Sequence, residues 1–154
     1  MNNKKVCSFY ISEFHLFTIL LPYINEKISE KKEITLILEE NLENSVKQYL
    51  KNIQIYNKEK ILKLNWKNSK NEKEIIERNI VVTIGKKEFI NKVNKQIEKN
   101  EKTEEIINSY ELEEVDEMDE IIKNYNYILK TKGEFYLDKN SHNEQKRKTI
   151  KSQI

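Results

Sequence analysis

The chain has 154 residues, the length of one ordinary domain, and its 28 Lys and Arg against 26 Asp and Glu leave a net charge of +2. That near-balance excludes a generally cationic nucleic-acid binder, and a hydrophobic content of 37% excludes a wholly disordered chain. Two glycines, one proline and no alanine, with Lys, Asn, Ile and Glu in their place, reflect the coding bias of an AT-rich bacterial genome more than a function.

Met1–Lys5 is basic and the stretch from Val6 to Ile24 is largely apolar, the pattern of a signal peptide or membrane anchor. Glu13 and His15 interrupt it, and an ionised carboxylate at a helix centre costs roughly 3 kcal/mol on insertion. A strand, a turn and an amphipathic helix fit better. Val6–Ile11 reads as a buried strand. Ser12 is placed to cap the helix that follows, which carries Phe14, Phe17, Leu20, Leu21, Ile24 and Ile28 on one face. Pro22 predicts a kink or restart within it. Ile34–Leu38 is a second strand, and Asn41 suits the N-cap of a second helix through Leu42, Val46, Tyr49, Leu50 and Ile53.

Lys60–Trp66 reads as a third strand, with Leu62, Leu64 and Trp66 on one face. Lys67–Arg78 is polar, a surface helix or a loop. Ile80–Ile84 is a β-branched run of the kind buried on both faces of a parallel sheet, closed by Gly85. Phe89, Ile90, Val93 and Ile97 mark a helix, and Glu105–Leu112 a fifth strand. Val115, Met118, Ile122, Tyr125 and Leu129 predict a last helix ended by Gly133, with Phe135–Leu137 as an edge strand or a segment packed on the body. Asp138–Ile154 loses apolar periodicity and gathers Lys139, Lys146, Arg147, Lys148 and Lys151, the pattern of a mobile basic tail. The expected fold is therefore a single α/β domain over 1–137, three-layered, Rossmann-like or flavodoxin-like, with about five mostly parallel strands. An α+β domain with Glu105–Leu112 or Phe135–Leu137 antiparallel is the rival.

No motif names the chemistry. Neither G-x-x-x-x-G-K-[ST], G-x-G-x-x-G nor G-x-S-x-G occurs. One cysteine, Cys7, allows no intrachain disulfide and points to the cytoplasm, and His15 and His142 are too far apart in sequence to suggest a zinc site. In open α/β sheets ligands bind beyond the carboxyl ends of the strands, and that rule selects Ser12, His15, Glu39, Asn41, Trp66, Lys86 and Lys87. Gly85-Lys86-Lys87 at a helix start suits a phosphate, Trp66 could stack on a base or sugar, His15 could contact a ligand or act as an acid or base, and Glu39 with Glu40 could hold a ribose hydroxyl or a metal. The expectation is a domain binding a nucleotide-like or other anionic small molecule, with no cofactor specified. A protein-interaction module, binding a partner or a second copy, is the alternative. A transferase using His15 with Glu39 is the third. Nucleic acid and membrane are not expected partners.

Overall fold

The structure is a computed structural model that describes residues 3–68, 79–97 and 103–137. In chain order the elements are β1 (Lys4–Tyr10), α1 (Glu13–Ser29), β2 (Ile34–Leu38), α2 (Glu43–Leu50), α3 (Lys58–Leu62), β3 (Ile80–Gly85), α4 (Lys87–Ile97), β4 (Glu105–Glu111), α5 (Glu117–Ile122), β5 (Tyr127–Lys130) and β6 (Gly133–Tyr136). They form a three-layer α/β domain around one sheet of order β2-β3-β4-β1-β5-β6. Every pairing is parallel except β5 with β6. In this order β1 does not neighbour β2, which sets it apart from both the dinucleotide-binding and the flavodoxin order.

Side-chain alternation along the strands fills both faces. Val6, Tyr10, Leu38, Val82, Ile84 and Ile107 pack beneath α1, α2 and α3. Cys7, Phe9, Tyr110 and Ile128 pack beneath α4 and α5, and Ile37, Val81 and Ile106 beneath α4 alone. Loops leaving β1 and β2 thus serve one face, and those leaving β3 and β4 the other. The carboxyl ends of β1 and β4, and of β2 and β3, are places where adjacent strands send their connections to opposite faces.

Ser12 caps α1 as expected, its Oγ accepting from the His15 backbone N–H at 3.2 Å. The helix runs through Pro22 without ending there, because Leu16, Phe17, Leu20, Leu21 and Ile24 hold both halves to the sheet. Asn41 is not the N-cap. Its Oδ1 accepts from the Glu43 N–H at 2.9 Å, and α2 begins with Leu42 at the cap position.

Two assignments change. The expected strand Lys60–Trp66 is a helix, α3, followed by a turn. β2 pairs directly with β3, so the sheet has no vacancy between them. The residues instead anchor through Ile61 and Trp66, whose indole N–H donates to the Ile61 carbonyl at 2.8 Å. The expected long helix through Leu129 stops at Ile122, and Tyr127–Lys130 is β5. Ile128 and Leu129 bury on opposite faces of the sheet, which suits a strand. Gly133, expected to end that helix, instead turns the β5–β6 hairpin at φ +122°, and β6 takes the antiparallel edge. Most of Lys67–Arg78 and all of the basic segment 138–154 lie outside the described residues.

At the amino-terminal edge of the sheet Lys4 and Glu105 are register partners. Glu105 is 6% exposed and accepts from the Tyr23 hydroxyl. Lys27 Nζ lies 3.3 Å and Lys4 Nζ 3.7 Å from its carboxylate, and Lys4 also meets Glu134 at 2.7 Å. No helix among the described residues is long and apolar enough to cross a membrane.

Candidate functional site

At the opposite, carboxyl edge a cleft of about 170 Å³ opens where the strand-end rule places it. Its floor is Tyr10 from the end of β1 with Ile84 and Gly85 from the end of β3. Ser12 and Glu13 at the start of α1, Glu39 and Glu40 after β2, and Glu111 at the end of β4 form its walls. These residues meet because the register brings Tyr10 beside Glu111 and Leu38 beside Ile84.

The lining therefore carries four carboxylates and no Lys, Arg or His side chain. Burial first, and then Glu40, Glu39 and Glu113, raise the affinity of Glu111 for its proton, against the opposing pull of Lys86. The Tyr10 phenol is pushed well up by burial and by the fields of Glu111, Glu40, Glu39 and Glu13, so it stays protonated. Tyr10 is 7% exposed, and among the described residues its hydroxyl takes part in no hydrogen bond. A phenol so placed can both donate and accept a hydrogen bond in the cleft.

Gly85 has a steric reason. A Cβ there would lie 2.8 Å from Glu39 Oε1 and 2.9 Å from Phe89 Cδ2. The space lets the Glu39 carboxylate reach the start of α4, where Oε1 accepts from the Lys86 N–H at 2.8 Å. The helix end expected to hold a phosphate is thus engaged by a side chain of the protein itself.

Of the expected residues, Ser12 and Glu39 line the cleft; His15, Asn41, Trp66, Lys86 and Lys87 do not. Trp66, expected as a stacking surface, is 2% exposed and packs edge-on against Phe17. The Lys86 ammonium turns to Glu113 at 3.0 Å, which raises its pKa. Lys87 is the first residue of α4. His15 is half-buried, its imidazole pKa is lowered by desolvation, and its Nδ1 has no hydrogen-bond partner among the described residues. Among the described residues no hydrogen bond joins the His15 imidazole to Glu39, whose Oε1 is engaged with the Lys86 N–H. Cys7 is buried early in β1 with its thiol pushed up by desolvation, unsuited to a nucleophile.

Tyr10 and Glu111 escaped the sequence reading because each is the last residue of its strand. The signal available was that position, immediately before the chain leaves the sheet. No three acidic, histidine or cysteine side chains among the described residues converge as a metal-ligand set. No family model matches the chain, and neither does any curated protein or any solved structure. What the cleft can do follows from its own side chains.

Proposed function

We propose that the protein is a small cytoplasmic binding domain whose strand-end cleft takes an organic cation, an ammonium or guanidinium group. The observation that carries this reading is the sign of the lining: Glu13, Glu39, Glu40 and Glu111 face the cleft without a cation among the lining side chains. A cation would relieve their mutual repulsion and donate charge-assisted hydrogen bonds worth roughly 1.5–3 kcal/mol each. The Tyr10 hydroxyl, without a partner among the described residues, adds an acceptor for an N–H donor.

The anionic ligand expected from Lys86 and Lys87 is disfavoured by the same features. Lys86 is held by Glu113, and Glu39 takes the amide that would meet a phosphate. An organic cation fits better than a metal ion, because no three acidic, histidine or cysteine side chains among the described residues converge as a ligand set.

Thermal denaturation with agmatine, which carries both head groups, tests the reading, with AMP and inorganic phosphate as anionic controls. At about 100 times its dissociation constant agmatine should add roughly 2.7 kcal/mol, a shift of several degrees. The double variant Glu40→Gln, Glu111→Gln should lose the shift. Stabilisation by the anions instead, or an agmatine shift that survives the double variant, overturns the proposal.

A further inference from the structure

We infer that the cation reaches the cleft as a side chain of another protein, on a basic segment that carries an apolar residue beside its Lys or Arg. This rests on the cation-binding reading above and goes beyond it by naming the partner.

Three observations carry it. First is size. At about 170 Å³ the cleft is smaller than the roughly 300–1,000 Å³ usual for small-molecule sites, and holds little more than one side chain. Whatever else belongs to the ligand must lie on the surface outside.

Second is the surface itself. Ile11, at the lip of the cleft, is 67% exposed, and Phe14, next to the cleft residue Glu13, is 70% exposed. Phe14 is not loose: its ring stands edge-on to Tyr49 with centroids 5.4 Å apart. Tyr49 is in turn fixed by Phe17 at 5.5 Å and by a hydroxyl contact with Thr18 at 3.1 Å. An ordered, exposed aromatic loses little freedom when covered, which is how aromatic anchors favour binding.

Third is charge. Glu13, Glu39, Glu40 and Glu111 line the cleft together with Ile11, Phe14 follows Glu13 in the chain, and Glu113 and Glu114 follow β4 at the same edge of the sheet. A free amine would satisfy the carboxylates and leave Ile11 and Phe14 in water. A nucleic acid would meet the wrong sign. A basic segment with a leucine-like neighbour satisfies both parts of the surface, the carboxylates through its charge and the lip through its apolar side chain.

The full chain should be titrated with three fluorescent capped peptides. One carries an arginine between two leucines, one has serines for the leucines, and one has glutamate for the arginine. Agmatine, which carries both cationic head groups without a peptide, is measured in parallel by competition. The arginine–leucine peptide should bind at least tenfold more tightly than agmatine or the serine peptide, and the glutamate peptide should not bind. Phe14→Ser, at an exposed position outside the cleft lining, should remove the tenfold advantage and leave agmatine binding unchanged. If agmatine and the arginine–leucine peptide bind alike and Phe14→Ser moves neither, the protein-partner inference falls while the cation site stands. If neither agmatine nor any peptide binds, both fall. Equal binding of the glutamate peptide also overturns the inference, since charge would then play no part.

Discussion

The two ends of the sheet treat carboxylates in opposite ways. At the amino edge Glu105 is buried, and its oxygens are matched by Tyr23, Lys27 and Lys4. Both lysines also lie over aromatic rings, Lys4 over Tyr127 at 4.5 Å and Lys27 over Tyr23 at 5.1 Å. At the carboxyl edge, Glu39 accepts from the Lys86 N–H, and the Lys86 ammonium whose field reaches Glu111 is already paired with Glu113. A buried charge that serves the fold must be compensated within the fold, because desolvation is expensive. Charges left uncompensated survive only near water, where a ligand can still reach them. The matched end therefore serves the fold, and the unmatched end is where the proposed cation site lies.

Mutation should separate the ends by sign. Glu105→Ala removes the shared partner of two lysines and a phenol, and should cost about 3 kcal/mol in urea denaturation. A near-neutral result would erase the distinction between the ends. Gly85→Ala comes next. The added methyl must displace Glu39 or Phe89, an overpacking that costs roughly 1–3 kcal/mol and should also free the Lys86 amide, visible as faster hydrogen exchange there.

Glu111→Gln should go the other way. A carboxyl whose folded pKa lies above its ordinary 4.5 loses stability as the pH rises through that folded value. The amide escapes this cost, so the variant should melt roughly 1–2 °C higher at pH 7, with the gain vanishing below pH 4.5. A lower melting point at pH 7 would place Glu111 with the matched carboxylates. The smallest effect belongs to His15. Its imidazole pKa is depressed below 6.5, so its contribution is intact above that pH and is lost as the pH falls through the depressed value. His15→Gln should flatten the acid side of the stability profile without shifting its neutral plateau.

Local signals in the chain were dependable where one element decides the outcome. The β-branched run Ile80–Ile84, the Ser12 cap and the strand-end location of a cleft all follow from neighbouring residues. What was hidden depends on strand order. Gly85-Lys86-Lys87 looks like a phosphate cradle until β2 is known to lie beside β3, which brings Glu39 to the Lys86 amide. Likewise the acidity of the cleft appears only when Tyr10 and Glu111 become register neighbours. Trp66 and Leu129 misled for a simpler reason. Leu62, Leu64 and Trp66 alternate like a strand but pack from a short helix and turn. Val115 to Leu129 repeats like a helix but ends in a strand.

The position of β1 has a consequence for how the molecule is made. It pairs with β4, from Lys4 opposite Glu105 onwards, and with β5, so its partners lie about a hundred residues further along the chain. β2 and β3, by contrast, can pair once the chain has passed Gly85. Long-range parallel pairing is slow, and an unpaired apolar strand is open to association while it waits. During synthesis Val6–Tyr10 must therefore remain without its final neighbours until β4 has left the ribosome. The central strand of the finished sheet is thus made first and completed late, with α1 the helix at hand to cover it while the rest is translated.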